Sequence, residues 1–299
     1  MGKRIAAIAI NTFREAIRNK ILYILLVFAI VMILFSVILA ILSIGQEQKI
    51  IKDVGLSAIL FFGVLISIMV GIGLIYNELD KRTIYVIVSK PIHRYEFVLG
   101  KFFGLLLTLA VNVVLMSVVF FLLVLFRQPV TQIIDQFIFW LGRVTPQQMW
   151  LMMKSAAASF GQGLNNLPEL LPLMQAILFS FLELTIITAL AVMFSSFSTP
   201  ILSAVFTFIL FIVGHLTQDL LMLAQNLAKK GTAVAVVISY FAQMFAYLLP
   251  DLEVLNIRNH VVSGVAVNWN LTQAAVYAIL YTCCVLIIAM VAFERRNFK

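Results

Sequence analysis

Apolar residues dominate six stretches of the chain, near residues 21–44, 54–76, 97–126, 171–194, 200–217 and 271–293, each long enough to cross a bilayer. A transmembrane helix needs roughly 17–25 predominantly apolar residues. Inside lipid every backbone N–H and C=O must find its partner within the same helix, and no β-barrel alternation is visible, so the pattern predicts six transmembrane helices. A seventh run, 232–249, carries Ser239, Tyr240 and Gln243 and is read as a re-entrant or interfacial helix. The expected fold is an all-α integral membrane protein with one transmembrane domain spanning 1–299.

The polar segments between these runs differ in character. In residues 1–20, Ile5, Ile8, Ala9, Phe13, Ala16 and Ile17 share one arc at helical spacing, while Arg4, Asn11, Arg14, Glu15 and Arg18 occupy the other. Such a basic amphipathic helix before a span is expected to lie along the membrane surface. Segments 127–170 and 218–270 are long and mix apolar stretches with Trp140, Trp150 and Trp269, a residue suited to headgroup depth. Short helices lying on or dipping into the outer leaflet are expected there.

Composition strengthens the membrane reading: 63% of residues are hydrophobic and 11% charged, against about 25% charged in soluble domains. The net charge of +8 does not point to nucleic acid, because the basic residues are dispersed in short loops. Placing both termini inside puts 13 of the 21 Lys and Arg residues in the 56 positions of the inner segments, and 8 in the 106 outer positions. That threefold difference in density predicts cytoplasmic termini and a cytoplasmic 77–101 loop. The first apolar run is too long, and lacks the cleavage site, for a secretory signal. Cys283 and Cys284 are neighbours on one predicted helix, pointing about 100° apart, and are expected as small buried residues with no disulfide or shared metal.

Residues 76–101, "YNELDKRTIYVIVSKPIHRYEFVLGK", hold eight of the 34 charged side chains. Residues 80–88 suit a short helix, with Ile84 and Ile87 beside Lys81 and Arg82, and Pro91 suits the first turn of the next one. An anchor for topology needs only the basic residues; the apolar insert suggests docking into a soluble partner.

At this point the chain resembles a family. Glu78, Thr83, Ser89, Pro91, Arg94, Gly100 and Lys101, in the spacing E-x4-T-x5-S-x-P-x2-R-x5-GK, are similar to the cytoplasmic loop of ABC transporter permeases of the type-2 exporter class. "NTFREAIRNKILY" resembles their interfacial elbow helix, which places Arg14, Glu15 and Arg18 there. "SSFSTPILSAVFTFILFIVGH", "LLPDLEVLNIRN" and "FERRNF" resemble their fourth-to-fifth connection, last outer segment and ending. The nearest group in character is that of the nitrous oxide reductase maturation permease. The resemblance implies a coupling helix in the 77–96 loop, a second permease chain (the same or a different one) and two ATPase subunits. The chain has no G-x4-GK[ST] loop, so ATP and Mg are expected on the partner ATPase, with no cofactor here. The alternative is an ATP-independent carrier or channel, which requires charged pathway residues in several spans; a membrane enzyme requires a cluster of His or acidic residues at one depth, and no such cluster is visible.

One charge falls inside a span. Glu183 sits in the middle of the fourth run, and an ionisable group there is costly enough to imply a role in a transport path or a polar interhelical partner. Asn112 and Thr108 of the third span, or Thr185 and Thr188 nearby, are the expected partners, and Asn112 is the second candidate for the path. His215 and Asp219 are spaced to share a helix face, but two ligands do not make a metal site. The pair of glycines at Gly71 and Gly73 suggests close helix packing.

Overall fold

The computed structural model describes residues 2–43, 46–80, 93–126, 167–229, 233–264 and 271–295, and every regular element among them is helical. In chain order these are α1 (Gly2–Ile17), α2 (Lys20–Leu42), α3 (Glu47–Asp80), α4 (Arg94–Leu125), α5 (Leu167–Phe197), α6 (Pro200–His215), α7 (Thr217–Ala228), α8 (Ala233–Leu248), a 3-10 turn Glu253–Leu255, α9 (Arg258–Ser263) and α10 (Leu271–Arg295). Five of them, α2, α3, α4, α5 and α10, are long and apolar enough to cross a membrane; α6 and α7 together make a sixth, bent by 55° at their junction.

α3 and α5 form the centre. Their apolar windows are 78% and 67% buried, whereas that of α2 is 28% buried and presents Ile24, Val27, Phe28, Val31 and Leu34 outward. The α3–α5 seam is set by small residues. A Cβ at Gly63 would stand 2.5 Å from a Leu184 methyl, and one turn on, the Ser67 and Thr188 hydroxyls meet at 3.0 Å. Small residues four apart let apolar helices approach closely enough for dispersion and hydrogen bonds to hold them. Several other hydroxyls in the spans turn back on their own helix: Thr108 donates to the Gly104 carbonyl, Ser117 to Val113 and Thr185 to Phe181. Each polar group is thereby satisfied without water.

Helix limits show how the pattern of hydrophobicity differs from the backbone. α3 begins at Glu47, well before the apolar run at 54, because Glu47 to Asp53 continues the helix with a polar face. Asn19 separates α1 from α2; its extended backbone breaks the helix, and its carboxamide oxygen accepts the Ile21 N–H at 3.0 Å. α6 starts with Pro200 in its first turn after an extended Thr199, where the missing proline N–H costs nothing. Pro91, expected in the first turn of α4, lies outside the described residues. That helix starts at Arg94, after His93 in extended conformation (φ −71°, ψ 143°).

The fifth predicted span, 200–217, is not one straight helix. α6 ends at His215, and α7 and α8 follow as a helical hairpin whose far end returns to the break. There the Leu252 N–H donates to the Gly214 carbonyl at 3.0 Å, taking an acceptor that the break frees. Thr217 Oγ1 donates to Val213 O (3.2 Å) and lies 3.4 Å from Pro250 O. Gly214 is needed at this point, since a Cβ would press to 2.8 Å on Leu252. Two further expectations are corrected. Cys283 and Cys284 are free thiols on the exposed face of α10. Gly71 and Gly73 make no close approach to the described residues: a Cβ at Gly71 would meet Leu105 at an ordinary 3.5 Å, and at Gly73 none of them within 4 Å. Trp140, Trp150 and Trp269 lie outside the described residues.

Candidate functional site

Two polar constructions stand out against the apolar bundle. The first joins α1 to the start of α4. The arc of α1 that carries Ile5, Ile8, Ala9, Thr12 and Ala16 turns inward, with Thr12 and Ala16 fully buried. It meets α4 over two glycines one turn apart: a Cβ at Gly100 would stand 2.6 Å from Ile8 Cβ, and one at Gly104 2.5 Å from Thr12 Cβ and 2.6 Å from the Ala9 carbonyl oxygen. Ion pairs flank the contact. Arg4 lies 3.9 Å from Glu96, and Glu15 lies 3.7 Å from Lys101, whose side chain is 2% exposed and whose ammonium sits 5.8 Å from the Phe97 ring centre. Glu96 also accepts the His93 N–H at 3.2 Å, across the first turn of α4. Burying Lys101 and Glu96 is tolerable because each has an opposite charge and further polar or aromatic contact.

The motif that ends in Gly100 and Lys101 therefore has a structural account: both residues hold α1. Of the other elbow residues, Arg14 and Arg18 are exposed, on the last turn of α1 and just beyond it. Glu78 falls on the last turn of α3 and Arg94 opens α4. Lys81, Arg82, Thr83, Ile84, Ile87, Ser89 and Pro91 lie outside the described residues, and of the expected helix over 80–88 only Asp80 is described, as the last residue of α3.

The second construction surrounds Glu183. Its side chain is wholly buried in α5, and the expected partners are engaged elsewhere. Thr108 and Thr185 donate to carbonyls of their own helices, Thr188 does so while meeting Ser67, and the Asn112 amide donates to Thr108 O at 2.8 Å. The partner is His215, the last residue of α6, with Nε2 3.1 Å from Glu183 Oε1. The distance suits an ion pair, and neither carboxylate oxygen has a further hydrogen bond among the described residues. His215 Nδ1 lies 3.1 Å from the Phe211 carbonyl oxygen, and the two rings meet edge to face at 4.8 Å. The structure does not pair Asn112 with Glu183; Asn112 is buried, and its Oδ1 has no hydrogen bond among the described residues.

A second polar chain runs through the segment that ties the hairpin. Asn256 Nδ2 donates to both oxygens of Glu253 (3.2 and 3.1 Å), and Arg258 Nε donates to Asn256 Oδ1 at 3.0 Å. Leu252, Leu255 and Ile257 are buried beneath it. The Asp251 backbone N–H donates to Tyr277 Oη at 2.8 Å. Burial holds the Asp251 carboxyl above its ordinary 3.8, opposed by hydrogen bonds from the Val254 backbone and Gln218. Asp251 is half-buried.

The residues missed by sequence reasoning are His215 as the Glu183 partner, and Gly104, Thr12, Glu96 and Lys101 as the α1 seat. Only Glu96 had a local signal, since an acidic residue three after a helix cap is a recognisable start. No group of three or more His, Cys, Asp or Glu that could hold a metal occurs among the described residues.

Residues 6–298 match the family model described as ABC-2 family transporter protein. No curated protein matches the chain. The match covers nearly the whole chain, on an all-helical bundle with several membrane-length apolar helices. The chain therefore belongs to the ABC-2 transporter family and is a multi-pass membrane protein, the permease component of an ABC transporter.

Proposed function

We propose that this chain is the membrane-spanning subunit of an ATP-driven exporter in a bacterial inner membrane, with both termini cytoplasmic. It pairs with a second permease chain and draws its energy from two separate ATPase subunits. Residues 77–96 form the coupling loop, in which Ile84 and Ile87 enter a groove of the ATPase while Glu78, Lys81, Arg82, Thr83, Ser89, Pro91 and Arg94 surround them. α1 serves as the elbow along the inner surface. The similarity to permeases of nitrous oxide reductase maturation belongs to the same reading. The observation that carries it is the family match over 6–298, which brings partnership with an ABC ATPase.

The seat of α1 supports a mechanical role. α4 follows directly on the coupling loop, and α1 is clamped to its first three turns through Gly100, Gly104 and two ion pairs. A push on the loop then moves α1 and α4 as one body, rather than being lost in a hinge between them. Glu183, buried in the central helix, is assigned to the moving core of the path, with Asn112 of α4 as a second polar position.

Copurification tests the coupling. Ile84→Asp or Ile87→Asp places an unpaired charge in the contact and releases the ATPase from the detergent-solubilised chain, since truncating a buried anchor costs more than about 1–2 kcal/mol. Lys81→Ala, a rim charge, weakens association by less than about 1 kcal/mol. If both Asp variants keep the ATPase at wild-type levels while remaining monodisperse, the loop is a topological anchor and the coupling assignment fails.

A further inference from the structure

The Glu183–His215 contact lies where three features meet: the central helix α5, the end of α6, and the base of the α7–α8 hairpin. His215 immediately follows Gly214, whose carbonyl accepts the Leu252 N–H that closes the hairpin. Any change that moves His215 also moves the acceptor on which the hairpin is tied.

Counting protons shows what the contact requires. A backbone carbonyl can only accept, so the ring nitrogen 3.1 Å from Phe211 O carries a hydrogen, and Nε2 is the atom left to face the carboxylate. With neutral imidazole, Nε2 presents a lone pair. A lone pair against an ionised carboxylate at 3.1 Å is repulsive, and the burial of Glu183 removes the water that would screen it. The contact is attractive only when one further proton lies between the two, on the carboxyl or on the imidazole. With it the pair is neutral overall; without it a bare carboxylate is buried in the bundle, with no hydrogen bond to another described residue. Because the titrations are coupled, this proton belongs to the pair and not to either residue.

We infer that Glu183 and His215 form a proton-dependent latch that fastens the broken α6–α7 helix, and with it the base of the α7–α8 hairpin, to α5. While the pair holds its proton the hairpin is tied; when the proton leaves, the contact turns repulsive and the break is free to move. His215 is 22% exposed whereas Glu183 is fully buried, so the proton is exchanged on the histidine side.

The charges that bear on His215 are Glu183 on α5 and Arg258 on α9; Arg258 is itself joined to Glu253 through Asn256. The other titratable groups carried by the elements around the break are Asp219 on α7, Asp251, His260 on α9 and Tyr277 on α10. The inference rests on this geometry and not on the coupling assignment, and its test needs neither transport substrate nor ATPase.

The test is hydrogen–deuterium exchange at the Leu252 amide in the full chain, reconstituted in lipid nanodiscs and followed against pH, with intrinsic exchange rates divided out. In the wild type, protection is constant while the pair holds its proton and falls roughly threefold to twentyfold as pH rises and the proton leaves, the span expected for loss of one interhelical polar contact in a membrane protein. Glu183→Gln and His215→Gln each remove one member of the pair, so the wild-type transition is absent from their profiles. Arg258→Gln removes an opposing cation and moves the wild-type transition to higher pH. A wild-type profile that is flat, or Gln variants that keep the wild-type transition, overturns the latch. Should the Gln variants fail to assemble, the wild-type and Arg258→Gln profiles still decide, because absence of the transition or of its upward shift is sufficient to reject it.

Discussion

Glu96 and Glu183 are both withdrawn from solvent, at 1% and 0% exposure, yet the chain holds them in opposite ways. Glu96 stands in the first turn of α4, where backbone N–H groups lack helical partners; it accepts one from His93 and faces Arg4 of α1. Its position also favours negative charge through the helix dipole, by about 0.3–1 kcal/mol. Glu183 stands in the middle of α5, where every N–H is already spent on the helix, so its only recourse is a side chain from another element. The comparison separates two uses of a buried carboxylate. At a helix start the backbone supplies most of the support, and the outside partner fixes position. In mid-helix the outside partner is all the support there is, so the group's stability depends on where the other helix stands. The α1–α4 junction is accordingly read as a fixed joint, and the α5–α6 junction as a movable one.

The fixed joint should fail first by steric means. Gly104→Ala drives a methyl to 2.5 Å from Thr12 and 2.6 Å from the Ala9 carbonyl, a backbone atom that cannot step aside alone. Overpacking of this kind costs about 1–3 kcal/mol, and α1 should lift from α4, read as faster amide exchange over residues 5–16. Gly73→Ala, with nothing within 4 Å of the new methyl, should instead be neutral or gain up to about 1 kcal/mol of helix propensity. Equal effects at the two glycines would show that α1 is not seated by close approach.

How much of this was legible in the sequence follows the same division. The apolar runs located α2, α4, α5 and α10 within a few residues, because a lipid-facing helix writes its burial directly into composition. The start of α3 was missed because Glu47–Asp53 extends the helix beyond the apolar run, where hydropathy no longer tracks backbone geometry. The inward arc of α1 was readable from its spacing, but its seat was not: Gly100 and Gly104 look like any glycine pair, and the more conspicuous Gly71–Gly73 turned out to have room to spare. Glu183 was conspicuous as a lone charge, but its partner was not, since His215 is 32 positions away and reaches it only because α6 ends there. The break itself leaves no sign in the apolar pattern: the run continues through Leu216, and the group that takes up the freed Gly214 carbonyl, the Leu252 N–H, comes from a distant segment.

At the movable joint a pair of substitutions tests the dependence on a single partner. His215→Leu removes the ion-pair partner that Glu183 has among the described residues and should lower stability by about 0.6–1.7 kcal/mol, the usual range for interhelical polar contacts in membranes. Glu183→Leu combined with His215→Leu removes the orphan as well, and apolar replacement of a whole buried pair is often neutral or better. The double variant should therefore be more stable than the single His215→Leu in denaturant titrations of the micelle-bound chain. A double variant that loses the sum of both single effects would mean that each residue has support beyond the other, and the contrast with Glu96 would collapse.

The smallest effect is expected from Arg4→Ala, and it sharpens the comparison from the other side. Arg4 is 54% exposed and 3.9 Å from Glu96, so its attraction is screened by water and salt. Exposed ion pairs contribute about 0.2–1 kcal/mol, and Glu96 keeps its His93 N–H and its place in the first turn of α4 when the guanidinium is gone. The variant should lose less than His215→Leu, and its deficit should shrink as salt rises, because the Debye length falls from about 10 Å at 0.1 M to about 3 Å at 1 M. The His215→Leu deficit should hardly change over the same range, since ions do not reach a fully buried carboxyl. Stability of both variants measured across that salt series decides the matter. A salt-independent Arg4 effect as large as that of His215 would place the two carboxylates in the same class, with the first turn of α4 giving Glu96 no more help than the middle of α5 gives Glu183.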